Sequence, residues 1–300
     1  MNSSRRLAPL ALVAATALLL AGCADGAAPA DDDTISIVAS TNVYADVAST
    51  IAGDGVEVSA IIDDPSADPH SFEADARVQL ALSKADLVVV NGGGYDDWAN
   101  TLLAGANNTD AIVLDAVEIS GLDTEPAEGE FNEHVWYDFA SVAKVADAIA
   151  DELSELDADN AATYRDNADT FIAGLTELQE RAAAGTFAGT GVAITEPVPL
   201  YLLEALGLEN VTPDAFSEAI EEGTDVAPAV LLETTSLFAD GTASLLVYNE
   251  QTTGAETEQV LSAAEEAGTP VVGVTETLPE GLDYLSWMSA NLDALETALN

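Results

Sequence analysis

The sequence predicts an α/β protein of two lobes, each a mainly parallel sheet flanked by helices, joined by one long rigid helix. Three features carry that expectation. Short apolar or β-branched runs alternate with Ala-rich amphipathic stretches in the first half of the chain, and the alternation resumes after residue 185. Between the two, residues 158–184 hold a single helical pattern. Strands alternating with helices imply a parallel sheet covered on both faces.

In the first lobe, residues 34–157, strands are expected at 35–39, 56–62, 87–91 and 111–114, with helices at 75–84, 97–103 and 139–153. In the second, 185–300, strands are expected at 192–195, 245–248 and 271–275, with helices at 227–238, 256–267 and 283–299. The linking pattern places Tyr164, Phe171, Leu175 and Leu178 on one stripe with Ala161 and Ala168, and Gly185 stands just past its end as a stop. A helix of that length reaches roughly 40 Å, enough to span the molecule. Gly92-Gly93-Gly94 lacks the Walker spacing and its lysine, so it reads as a plain turn.

At the N-terminus Arg5 and Arg6 precede an uncharged run, 7–22, which is too short for a membrane span and fits a secretory signal peptide over 1–22. The paired arginines leave the export route open between the general and twin-arginine pathways. The run ends in Leu20-Ala21-Gly22-Cys23, which resembles a bacterial lipobox, so Cys23 is the expected lipidation site. Residues 23–33 are small, acidic and patternless, and read as a flexible tether. Cys23 is the only cysteine, which excludes an intramolecular disulfide. No later stretch is apolar enough to cross a bilayer. The expected location is the outer face of the cytoplasmic membrane, held by the lipid alone.

The chain has 54 Asp plus Glu against 7 Lys plus Arg, a formal charge of −47 that becomes −49 without Arg5 and Arg6. Such a surface repels nucleic acid and anionic headgroups.

Carboxylates this plentiful mean nothing by count, so position must select among them. The two histidines are scarce enough to be informative. His70 lies in an acidic loop after the strand at 56–62, and His134 in another before the helix at 139. Neutral imidazole is the commonest metal-binding side chain at physiological pH. In α/β lobes, ligands gather beyond the carboxyl ends of strands. Glu196 follows the strand at 192–195, Glu276 follows that at 271–275, and Glu250 is a third candidate, two residues beyond Tyr248.

Five segments in order resemble the metal-binding receptors of bacterial ABC importers for manganese, zinc and iron. They are Asp68-Pro69-His70-Ser71-Phe72-Glu73, the stretch from Asn91-Gly92-Gly93-Gly94 to Trp98, Glu133-His134-Val135-Trp136, Ile194-Thr195-Glu196 with Tyr201-Leu202, and Val274-Thr275-Glu276-Thr277. The resemblance covers most of the chain beyond the tether. It implies His70, His134, Glu196 and Glu276 as metal ligands, two from each lobe, and disfavours Glu250. It also implies the linking helix and an ABC permease as partner, with a monomeric receptor handing over the ion. The chain departs from the zinc-dedicated pattern at Glu196, where histidine is frequent, and in 122–131, which is acidic without histidine.

Two imidazoles and two carboxylates suit tetrahedral zinc if the carboxylates bind through one oxygen, and manganese or iron(II) if they bind through two. The expected ligand is therefore zinc or manganese, with iron third. A metal-dependent hydrolase is the competing reading, but its zinc would need an open position for water, and no His-Glu-x-x-His helix exists. A surface adhesion lipoprotein is the other alternative. The expectation is a binding protein, not an enzyme.

Overall fold

The computed structural model describes residues 34–300 except 66, 68, 70, 71, 73–75, 127 and 128. The expected signal peptide, tether and Cys23 lie outside the described residues, as does His70.

The first half runs β1 (Ser36–Thr41), α1 (Asn42–Ala52), β2 (Glu57–Ile62), α2 (Ala76–Leu82), β3 (Leu87–Val90), α3 (Asp97–Ala106), β4 (Ile112–Asp115), α4 (Ala116–Ser120) and α5 (Phe139–Leu156). The long α6 (Ala161–Ala183) follows. The second half runs β5 (Gly191–Ile194), α7 (Leu200–Ala205), β6 (Glu209–Asn210), α8 (Asp214–Glu221), α9 (Pro228–Ala239), β7 (Leu246–Asn249), α10 (Ala255–Ala267), β8 (Val271–Val274) and α11 (Tyr284–Leu299). The sheets have the orders β2-β1-β3-β4 and β6-β5-β7-β8, and every recorded pairing is parallel. Each is therefore the same doubly wound unit, with a topological switch point between its two central strands, where a crevice opens beyond their carboxyl ends.

Local chemistry fixes the helix starts. Asp138 caps α5 by accepting from the amides of Ala140 and Ser141, and Asp283 caps α11 by accepting from Ser286 N–H. The expected helix at 158 begins instead at Ala161. The Asp157 carboxylate accepts from Asn160 Nδ2 at 2.7 Å and Tyr164 hydroxyl at 2.9 Å, which folds 157–160 into a turn. Tyr164, Ala168, Phe171, Leu175 and Leu178 form the expected buried stripe, continued by Ala182, while Ala161 in the first turn is only half-buried.

Helix α6 packs on α1, α5 and α11. It is not the sole link between the lobes, because one apolar core runs from Tyr44, Ile149 and Phe171 to Leu202, Val247 and Leu292. Asn42 both accepts from Leu278 N–H and donates to its carbonyl, each at 2.9 Å, pinning the segment after β8 to α1. Tyr284 hydroxyl donates to Trp136 O at 2.5 Å. Among the described residues no helix is long and apolar enough to cross a membrane.

Candidate metal site

Three of the four residues singled out as ligands are described, and all are buried charge-bearing groups: His134 is 0% exposed, Glu196 2% and Glu276 1%. Burying an ionisable group is costly unless something specific compensates it, so each has a structural explanation to give.

His134 sits just before a short 3-10 turn, Val135–Tyr137, whose three side chains are all buried. Trp136 and Tyr95 meet the imidazole edge-on, at centroid distances of 5.0 and 5.9 Å. Asn132 sets the tautomer. Its Nδ2 donates to Pro197 O at 3.1 Å, so its Oδ1 is the acceptor that lies 2.7 Å from His134 Nδ1. Nδ1 accordingly carries a proton, and in the neutral ring Nε2 is the nitrogen that bears the lone pair. Asn91, buried just beyond β3, holds the same loop by donating to Glu133 O at 2.9 Å, and is itself fixed by Tyr44 hydroxyl at 2.6 Å.

The glycine turn after Asn91 is required by that packing. Gly92, Gly93 and Gly94 all have positive φ, and a Cβ on Gly92 would stand 2.1 Å from Asp115 Oδ1. Asp96 closes the turn by accepting from the amides of Asn91 and Gly92 at 2.6 and 2.8 Å.

In the second lobe, Glu196 follows β5 and Asn249 ends β7, the two strands at the switch point. A single amide organises both carboxylates: Asn249 Nδ2 donates to Glu196 Oε2 at 2.6 Å and Glu276 Oε1 at 2.8 Å. The Glu196 carboxyl is pushed up to about 8, chiefly by burial, then by the charges of Glu221 and Glu276, against the opposing hydrogen bonds of Asn249 and Thr252. Burial, followed by the charge of the nearby Glu276 carboxylate, holds the Tyr95 phenol well above its usual range.

Glu276 Oε2 lies 4.0 Å from His134 Nε2, so groups from the two lobes face each other. Glu250, the third strand-end candidate, is exposed, and its carboxylate lies over Gly273 of β8 rather than among these groups. The loop carrying His70 is joined to the second lobe on its near side. Gln251 Nε2 donates to Pro65 O and Ala67 O, Thr277 hydroxyl donates to Pro65 O at 2.9 Å, and Gln251 Oε1 accepts from Glu276 N–H. On the other side of residue 70, Phe72 stacks on Trp98 at 4.6 Å.

Sequence reasoning missed Glu221. It ends α8, and its Oε1 lies 3.4 Å from His134 Nε2. It also missed Asn132 and Asn249, which orient the charged groups. The charges that help raise Glu196 are those of Glu221 and Glu276, the same carboxylates that stand 3.4 and 4.0 Å from His134 Nε2. A buried imidazole beside several carboxylates has the donor chemistry of a divalent-metal site.

The sequence family described as zinc-uptake complex component A, periplasmic, matches residues 37–298. The manganese-binding lipoprotein MntA of Halalkalibacterium halodurans is 28% identical over 302 residues, covering 95% of each chain. The iron ABC transporter substrate-binding lipoprotein MtsA of Streptococcus pyogenes serotype M1 is 26% identical over 244 residues, 73% of this chain and 78% of that one. Among solved structures, FpvC of Pseudomonas aeruginosa in complex with Mn2+ superposes with a TM-score of 0.73 at 24% identity, over 89% of this chain and 98% of that one. The fold is thus shared with a solved two-lobed binding protein.

Proposed function

Since the chain belongs to the zinc-uptake complex component A family of ABC-importer receptors, which are binding proteins and not enzymes, we propose that His70, His134, Glu196 and Glu276 hold its cargo, a divalent transition metal. The single observation that carries this reading is the approach of buried His134 Nε2 to within 4.0 Å of Glu276 Oε2, where Glu276 shares the Asn249 amide with the equally buried Glu196. The contacts of Pro65 and Ala67, shortly before His70 in sequence, with Gln251 and Thr277 of the second lobe support the fourth donor.

Metal binding brings positive charge among these carboxylates. With Asn132 on Nδ1, the ion would bind His134 through Nε2, and with Asn249 on one oxygen of each glutamate it would bind each through the other. Ligands from both lobes then share one ion, so the loaded form is the more compact and more stable one. Binding to the folded state alone adds about 4 kcal/mol at a thousandfold excess over Kd. Manganese, zinc and iron(II) are the cargo candidates, in keeping with the metals for which the family and its relatives are named. The loaded receptor, a monomer, delivers the ion to the permease of its importer.

The ligand set is tested by calorimetric titration of manganese and zinc into alanine variants. His134→Ala, Glu196→Ala, Glu276→Ala and His70→Ala each lower affinity by orders of magnitude, and Glu250→Ala leaves it near the parent value. Loss of binding in Glu250→Ala with retention in Glu276→Ala rejects the assignment.

We also propose that Cys23 carries a lipid that tethers residues 23–33 and the receptor to the outer face of the membrane, after removal of a signal peptide over 1–22. Several acyl chains at about 0.8 kcal/mol per buried methylene make such an anchor stable. The native protein should partition into a detergent phase and Cys23→Ser should not, with metal affinity equal in both. An unlipidated native N-terminus by mass spectrometry ends the anchoring claim.

A further inference from the structure

Glu221 stands at the boundary between a cleft and the buried donors. The cleft, about 430 Å³, separates loop residues Glu130 and Glu133 of the first lobe from Glu218, Glu221 and Glu222 at the end of α8, and none of the residues lining it is basic. At 13% exposure the Glu221 side chain is more accessible than Glu196 or Glu276. Its Oε1 is nonetheless closer to His134 Nε2, at 3.4 Å, than Glu276 Oε2 at 4.0 Å.

That 3.4 Å separation fits a shared ion: two donors each about 2.1 Å from it stand about 3.0 Å apart at 90° and about 3.6 Å apart at 120°, the angles of a five-coordinate shell. Glu133, His134 and Glu221 each offer one ligand atom within 4.8 Å of the others.

We propose that Glu221 is a fifth protein ligand to the transported ion, sharing it with His134 Nε2, and that it biases the site toward metals of higher coordination number. The inference rests on the ligand set proposed above and adds to it. Asn249 engages one oxygen of Glu196 and one of Glu276, which leaves each to coordinate through the other. With two imidazoles this makes four donors, the number that satisfies zinc. A fifth, hard oxygen is of most use to manganese or iron(II). Glu221 reaches the ion from the solvent side, so it also meets the incoming cation before the buried pair does.

The test compares Glu221→Gln with Glu218→Gln in the full chain. Glu218 lies one turn earlier on α8, lines the same cleft and carries the same charge. Manganese and zinc affinities are measured by chelator competition, and the Co2+-loaded proteins are compared by visible absorption, which strengthens as coordination number falls. The expected result is that Glu221→Gln weakens manganese at least tenfold, weakens zinc less, and intensifies the cobalt bands, while Glu218→Gln does none of these. Unchanged affinities overturn the proposal. So does an equal loss for both metals, matched by Glu218→Gln, with the cobalt spectrum unaltered, since that is a field effect only. If His134→Ala and Glu276→Ala abolish binding while Glu221→Gln behaves as Glu218→Gln, only the fifth ligand fails. If His134→Ala and Glu276→Ala bind normally, the ligand set fails with it.

Discussion

A carboxylate placed beside two others in a buried site favours its protonated form, and Glu196 shows the consequence. Its carboxyl is raised from 4.5 to about 8 by burial and by Glu221 and Glu276. Between those two values the metal-free native state holds a proton that the unfolded chain has lost. Stability from this group is thus fully present below about pH 4.5 and disappears as pH rises through about 8. On the proposed ligand set a metal ion needs the ionised form of Glu196, so binding expels that proton and affinity rises over the same interval. The metal-free protein should lose thermal stability from about pH 5 to about 8.5, and the loaded protein should not. Glu196→Gln removes the group and should flatten the metal-free slope. A slope identical to the parent's would show that Glu196 does not hold a proton in that range.

At the scale of elements, what could be read from the sequence depended on whether local pattern or tertiary packing decided the matter. The central strands β1, β3, β5 and β7 announce themselves as apolar runs because both faces of a parallel sheet are covered, and the stripe on α6 is visible because one face alone is buried. Helix α1 was not legible: Asn42 follows β1 directly, with no loop to separate the patterns, and most of α1 is buried. Short α4 and α7 and the two-residue β6 hold too few residues for a periodicity to be read, whereas α8 does carry a stripe, Phe216 with Ile220.

The same division applies to the candidate site. His134 stands out by rarity, and Glu196 and Glu276 by following strands. Asn249 looks like the last residue of a strand, and only the fold reveals that its amide reaches two glutamates. Glu221 is one of three acidic residues within 218–222, chemically indistinguishable until α8 turns one of them toward His134. The scarce cations are likewise placed by packing. Arg181 on α6 binds Glu296 and Asp293 of α11, Arg165 binds Asp151 of α5, and Lys144 donates to Ser120 O at the end of α4. Three of the basic residues therefore fasten one helix to another, two of them through α6, where the lobes are braced.

For the whole molecule, those few contacts stand against a formal charge of −47, or −49 without Arg5 and Arg6. Native packing brings like charges closer than an unfolded chain keeps them, so surface repulsion opposes the fold. Salt screens both the repulsion and the ion pairs, and the outcome depends on which is larger. Exposed pairs contribute about 0.2–1 kcal/mol each, and only five Lys or Arg remain after residue 33 to form them, against 54 acidic residues in the chain. Repulsion therefore dominates. The screening length falls from about 10 Å at 0.1 M to about 3 Å at 1 M, which shortens the reach of repulsion between neighbouring surface carboxylates. The thermal midpoint of the metal-free protein should rise steadily from dilute buffer into molar sodium or potassium chloride, and by a similar amount with either cation, because screening does not depend on which ion supplies it. A metal ion held by the proposed ligands would add two positive charges beside Glu196, Glu221 and Glu276, so the loaded protein should show a smaller salt-dependent rise. A flat or falling midpoint in the metal-free protein would mean that the ion pairs outweigh surface repulsion. Equal rises in the loaded and metal-free forms would mean that the repulsion lies in the outer surface and not in the cleft.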